Sequence, residues 1–328
     1  MKKPSLYLYL ALLPLLFSCS RAGEYRTTVG LVFGTSYRVQ YQSSRDLTEN
    51  IEHALGEVNA SLSTFDTASV ISRVNRNEEV EADSLFTKVF LTGQIIALVT
   101  GGAFDMTVAP LVNAWGFGFD PQRQRDASVI DSIRAFVGYD KVGLERGRVV
   151  KADARTQLDA SAIAKGYGCD RVAEALQRCG VRNYLVEIGG ELRLAGHNAA
   201  GERWRIGVNR AVDDSLQQNH EIQRVLSLTD CGVATSGNYR QFYETAQGRV
   251  GHTIDPRTGQ PAQGRVLSAT VIADECLVAD AYATACMVLS DTTAIRSLAE
   301  AEGLRVFLIY ADETGTHCEW SYPSDEQR

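Results

Sequence analysis

Apolar positions along the chain change their period repeatedly, and each change predicts an element. Val29 to Tyr41 is apolar and aromatic, with alternation in its second half, and predicts one strand carrying a bulge or close approach at Gly34. Leu47, Ile51, Ala54, Leu55 and Val58 recur at helical spacing, behind an Asp46–Glu49 capping box. A second helix is predicted from about Asp83 to Val99, stopped by Gly101-Gly102. The stretch Ala103 to Phe119 is apolar but broken by glycine, proline and aspartate, and reads as a loop able to cover a flat ligand.

Further along, a short helix is predicted for Asp126 to Val137, and a small hairpin for Lys141 to Leu144 and Arg148 to Lys151. Asp159 precedes a helix from Ser161 to Cys179 and suits its N-cap. Strands follow at Asn183 to Gly189, Glu191 to Gly196, Trp204 to Asn209 and Arg224 to Thr229. Ala234 to Arg240 reads as a polar turn, and Val266 to Ala273 as a central strand. A helix from Cys276 to Leu289, a last helix capped by Asp291 and a last strand from Leu304 to Tyr310 complete the pattern. Strands and helices mix without regular βαβ alternation, which predicts an α+β fold in one unit, with room for two lobes and a site between them.

The front of the chain follows a different rule. Lys2 and Lys3 precede an apolar run from Leu6 to Phe17, too short to span a bilayer and shaped like an export signal. Leu16-Phe17-Ser18-Cys19 resembles a bacterial lipobox. Residues 1–18 are therefore expected to be a signal, 19–28 a lipid-bearing Cys19 and tether, 29–322 the functional domain and 323–328 a tail. Anchoring to a bacterial membrane facing the periplasm follows as an expectation. Six further cysteines (Cys169, Cys179, Cys231, Cys276, Cys286 and Cys318) form no C-x-x-C pair, which argues against a zinc site; disulfides, open to an exported protein, and buried free thiols both remain as alternatives.

The 328 residues are 45% hydrophobic and 22% charged, with a net charge of -7. That balance suits a soluble globular domain and argues against a nucleic-acid surface. An anionic ligand would need local help. Lys165 and Gly166 supply it, since they fall where a helix begins and its N–H groups are unpaired. Asp280 and Thr284 share one helix face and offer hard oxygen donors suited to Mg²⁺. His252 opens the loop Gly251 to Pro261, where Pro256 and Gly259 shape the backbone; its imidazole titrates near neutrality and suits a base. Phe65 is either core or a platform for a flat ring. The G-x-G-x-x-G and P-loop nucleotide motifs are absent.

Six motifs in order resemble the ApbE-type FAD:protein FMN transferases. They are Gly101-Gly102-Ala103-Phe104-Asp105-Met106-Thr107-Val108, Leu158-Asp159-x-x-x-Ile163-Ala164-Lys165-Gly166-Tyr167, Gly189-Gly190-Glu191, Thr235-Ser236-Gly237-Asn238-Tyr239, His252-x-Ile254-Asp255-Pro256-x-Thr258-Gly259 and Ala279-Asp280-Ala281-x-Ala283-Thr284. Ala160-Ser161 departs mildly from the family's pattern. The resemblance implies a mixed α/β unit with a T-fold-like core. It also implies transfer of FMN from FAD to a threonine or serine hydroxyl of a partner protein, releasing AMP. Mg²⁺ would be held by Asp280, Thr284 and the carbonyl of Ala162. FAD, the substrate, would be contacted by Phe33, Phe65, Ala103, Phe104, Asp105, Asp159, Lys165 and Ile254. His252 would be the base. Acceptors would be subunits of Rnf or sodium-translocating NADH:quinone reductase complexes, modified at a short Asp/Ser-Gly-Ala-Thr/Ser-like sequence. Two alternatives stay open: an FAD pyrophosphatase giving FMN and AMP, and a non-catalytic flavin-binding lipoprotein.

Overall fold

The single strand expected at the front is two. In the computed structural model, which describes residues 24–118, 127–211, 221–238, 242–245 and 248–324, β1 (Tyr25–Val32) pairs antiparallel with β2 (Thr35–Gln42). The turn is Phe33-Gly34, with φ of 51° and 74°. Two consecutive residues at positive φ make the tight turn whose twist matches paired strands. Phenylalanine rarely enters that region, so the pattern gives no warning of the turn.

Helices follow in a row: α1 (Thr48–Leu62), α2 (Val70–Asn75), α3 (Ser84–Val99), α4 (Ala109–Ala114) and α5 (Ala127–Arg134). The expected capping box on α1 does not form. Asp46 Oδ1 instead takes the Thr48 N–H at 2.9 Å and its hydroxyl at 2.8 Å, a local turn just before the helix. Asp83 does cap α3, accepting from Phe86 N at 2.7 Å. Part of the supposed loop after Gly102 is helical as α4, with Pro110 in its first turn where a missing N–H costs nothing. The start of the helix expected from Asp126 lies outside the described residues.

The hairpin β3 (Val142–Glu145) and β4 (Arg148–Lys151) stands apart from the main sheet. Then come α6 (Ala164–Arg178), β5 (Tyr184–Ile188), β6 (Glu191–Ala195), β7 (Trp204–Asn209), β8 (Ile222–Leu228), β9 (Cys231–Gly237), β10 (Phe242–Thr245), β11 (Gly248–Gly251) and β12 (Val266–Ala273). The chain closes with α7 (Cys276–Leu289), α8 (Thr292–Ala301), β13 (Arg305–Ala311) and β14 (His317–Tyr322). Two expectations change here. Ala234 to Gly237 belongs to strand β9 rather than to a turn, and Tyr310 does not end the last strand, since β14 follows. The hydroxyls of Thr235 and Ser236 disguise β9, although its first half is fully buried.

One antiparallel sheet runs through the fold in the order β1-β2-β5-β6-β9-β12-β13-β14. Helices α6 and α7 pack on one of its faces, and α1 and α3 lie outside them. The ribbon β7–β8 covers the opposite face, where Trp204, Ile206 and Leu226 meet Leu194, Val233 and Ile309. All six cysteines outside the front segment are free thiols.

The crossing of α6 and α7 is unusually close. A Cβ on Gly166 would collide with the Cys276 carbonyl, and one on Gly232 of β9 would collide with the Cys276 nitrogen. Asp170 of α6 then caps α7 from outside its own segment, taking the N–H groups of Cys276 at 3.0 Å and Leu277 at 2.8 Å. Arg193 braces that carboxylate at 3.4 Å. We expect Gly232→Ala to lower stability by about 2–3 kcal/mol, the usual cost of overpacking against rigid backbone. Urea unfolding checks this; an unchanged midpoint would mean that the strand and helix can separate without penalty.

Candidate functional site

Lys165 and Gly166 lie in the first turn of α6, and Asp280 and Thr284 lie one turn apart on α7. The close crossing brings the two pairs together. Helix α6 starts at Ala164, so the Gly166 N–H is one of the first-turn N–H groups that have no partner inside the helix. It goes instead to Asp280 Oδ2, at 2.9 Å. No described group donates to the Ala162 carbonyl, four residues before Gly166. Asp280 is 2% exposed.

A lysine at the positive end of a helix is unfavourable by itself. Here Lys165 Nζ is held 3.1 Å from Glu191 Oε1 and 3.7 Å from Asp280 Oδ1, and 3.4 Å from the Ser161 carbonyl. Burial alone would push the ammonium down, but Asp280 and Glu191 outweigh it and hold Lys165 above the ordinary lysine value. Burial lifts Glu191 above the ordinary glutamate value, with Lys165 opposing.

His252 reaches the same region through β9. Thr284 Oγ1 lies 3.3 Å from Ser236 Oγ, and two residues on, Asn238 Oδ1 accepts from Thr253 Oγ1 at 2.8 Å. The end of β9 therefore ties α7 to the residue next to His252. The imidazole is half-buried, with its edge toward the Phe117 ring at 6.3 Å. The loop behind it is stiff. Asp255 accepts from the backbone and guanidinium of Arg257, Trp115 Nε1 donates to the Gly259 carbonyl at 2.8 Å, and Arg134 donates to the Arg257 carbonyl at 2.8 Å. Gly259 has a φ of 72°, as expected for its turn.

The other predicted contacts divide into two kinds. Phe33 lies over Gly168, one helical turn beyond Lys165; a Cβ on that glycine would come within 2.7 Å of its ring. Phe65, by contrast with the core alternative, is 81% exposed. Ala103, Phe104 and Ile254 are buried, so their side chains face the interior and a ligand beside them would meet mostly backbone. Asp105 is buried too. Its Oδ1 accepts from the N–H and hydroxyl of Thr107, both at 2.7 Å, while burial raises its carboxyl above the ordinary value. A pocket of about 250 Å³ joins Asp105 and Gly102 to Pro256 and Arg257, but contains neither Lys165 nor Asp280. The Lys165–Asp280 cluster carries the chemical argument because its groups are charged and convergent, whereas that pocket is shallow. Asp159 does not cap α6: the helix starts at Ala164, and Asp159 Oδ1 takes the Ser161 N–H at 2.7 Å. Its own N–H donates to the Met106 carbonyl at 2.6 Å, joining the first two motifs.

The profile of the ApbE family matches residues 33–308. The chain belongs to the ApbE family. Among its relatives, an FAD:protein FMN transferase of Haemophilus influenzae is 36% identical over 92% of this chain and 90% of that protein. One of Vibrio cholerae is 36% identical over 93% of each. The solved flavin transferase ApbE from Vibrio cholerae superposes with a TM-score of 0.81 at 34% identity, covering 93% of this chain and 99% of that one. The apo flavinyl transferase ApbE of Pseudomonas stutzeri gives 0.81 at 32% identity, covering 93% and 97%.

Two residues of this ApbE chain were missed by sequence reasoning. Glu191 stood in a motif but was given no role, because nothing local says that its carboxylate points at Lys165. Asp170 looked like an ordinary helical aspartate, though an aspartate inside an apolar helical face is a signal that could have found it. Burial pushes the Asp170 carboxyl up to about 7, against the two N–H groups and Arg193. The unfolded chain releases this proton near the ordinary aspartate value of about 4. Between the two values the folded state holds a proton that the unfolded state lacks, so stability contributed by this group is lost as pH rises through about 7. Asp170→Asn should flatten that decline when unfolding is followed at intervals across the window; a slope equal to that of the wild type would exclude Asp170 as its source.

Proposed function

We propose that this protein transfers the FMN moiety of FAD to a threonine or serine hydroxyl of a partner protein, with Mg²⁺ and with release of AMP. The observation that carries this reading is the Gly166 N–H held by Asp280, which seats that carboxylate at the start of α6. With the Thr284 hydroxyl one turn further along α7 and the unpaired Ala162 carbonyl, it would supply three hard oxygens of the kind Mg²⁺ takes while keeping places for water and phosphate. The printed names of the family relatives support the same reaction.

Mg²⁺ bound at these oxygens would neutralise charge on the pyrophosphate and its leaving group. Lys165 adds a fixed cation on the phosphate side, already oriented by Glu191 and so requiring little rearrangement. Phe33 and Phe65 offer aromatic surface for the flavin. His252 takes the proton from the incoming hydroxyl. That oxygen bonds to the FMN phosphorus as the P–O bond to AMP breaks, so one phosphate ester forms and the anhydride is lost. The stiff loop fixes the imidazole against the Phe117 edge while the acceptor enters. The acceptors of this reading are subunits of Rnf or sodium-translocating quinone reductase complexes. A lipid on Cys19 would keep the enzyme on the membrane face where they are displayed.

Incubating FAD and Mg²⁺ with a threonine-bearing acceptor peptide should release AMP at least about tenfold faster than without it, consistent with acceptor-dependent rather than water-dependent cleavage. The peptide should gain covalent flavin. Equal AMP release with free FMN would make the protein a pyrophosphatase, and FAD surviving intact would make it a carrier. His252→Ala should retain FAD binding, read by flavin fluorescence, but lose transfer by about 10²–10⁴-fold, the usual worth of a general base. Loss of binding instead would make His252 a ligand contact.

A further inference from the structure

Lys165 and the oxygens proposed for Mg²⁺ present an electrostatic difficulty. Asp280 Oδ1 is 3.7 Å from the Lys165 ammonium, so two cations would compete for one carboxylate. Glu191 lies nearer the ammonium, at 3.1 Å. It reaches there because Gly189 and Gly190, both at positive φ, turn the β5–β6 hairpin directly above the start of α6. Glu191 is 5% exposed, and its second oxygen, Oε2, is buried without a hydrogen-bond partner among the described residues. A buried carboxylate oxygen left unpaired is costly and adds nothing to the hairpin. Its one strong attachment is Lys165.

We infer that Glu191 is a positioning residue that holds the Lys165 ammonium off Asp280, leaving that carboxylate free to take a divalent cation. With Glu191 present, the site contains two carboxylates for a lysine and a metal. Without it, the ammonium moves onto Asp280 and occupies the place the metal needs. Lys165 then acts as an internal competitor, and Glu191 decides whether it does. The inference rests on the proposed Mg²⁺ ligands and adds a determinant of metal affinity outside them.

The test is calorimetric titration of MgCl₂ into the full chain, without FAD, for wild type, Glu191→Gln, Lys165→Met and the double variant, with circular dichroism melts to establish folding. Glu191→Gln should bind Mg²⁺ about tenfold more weakly, reflecting loss of one nearby partly desolvated charge. Adding Lys165→Met should restore affinity to that of Lys165→Met alone, because the competitor is gone. A merely structural Glu191 would not be rescued by removing the lysine. Unchanged affinity in Glu191→Gln, or a double variant as weak as Glu191→Gln, overturns the inference. If Glu191→Gln does not fold, Glu191→Asp, which keeps the charge but shortens its reach, should show a smaller loss that Lys165→Met again relieves; no such loss overturns it equally. Wild type that takes up no Mg²⁺ removes the metal from the functional reading and the inference with it. Wild-type uptake with no difference in the variants removes the inference alone.

Discussion

A buried carboxylate takes one of the N–H groups that the start of a helix leaves without a partner. The Gly166 N–H donates to Asp280, and this single bond joins the first turn of α6 to α7. It is possible only because residue 166 has no side chain, since a Cβ would strike the Cys276 backbone. Gly232 clears the other side of Cys276 for the same reason. Asp170 then fastens the start of α7 from the partner helix. The charged cluster of Lys165, Glu191 and Asp280 is built on that junction. Tight backbone approach comes first, and the chemistry of the site is its consequence.

Around this rigid joint the rest of the site is attached by short relays. Ser236 and Asn238 at the end of β9 connect Thr284 with Thr253, so the histidine loop is referenced to α7 through one strand. Trp115 and Arg134 fix the far side of that loop through its carbonyls. Phe33 is placed by packing on Gly168, which keeps a bulky residue in a backbone conformation it would not choose alone. Helix dipole, lysine and carboxylates therefore share one frame, and the aromatic surfaces hang from its edges.

Much of this was legible in the chain, for identifiable reasons. Helix α7 was placed at its observed limits because its apolar run is long and bounded by a strand and by Asp291. The central strand β12 was equally clear from its run of apolar and β-branched residues, Val266 to Ala273. Asp280, Thr284, Lys165 and His252 were visible because their residue types are unusual in such surroundings. What stayed hidden depends on contacts distant in sequence. The Phe33-Gly34 turn lacks the usual Asn-Gly signal, β9 is disguised by hydroxyls, and Asp159 was assigned to a helix that begins later at Ala164. Glu191 acquires meaning only when its hairpin is folded above α6. No local pattern encodes the bond from one first-turn N–H to a carboxylate 114 residues away.

That separation has a consequence for how the protein comes into being. Contacts between distant segments form late, because the intervening chain must be ordered before the ends can meet. Helix α6 can wind as soon as it is made, but until α7 arrives its first turn lacks Asp280, the carboxylate that takes the Gly166 N–H and faces the Lys165 ammonium. The charged cluster of Lys165, Glu191 and Asp280 is therefore completed only when the last quarter of the chain has docked.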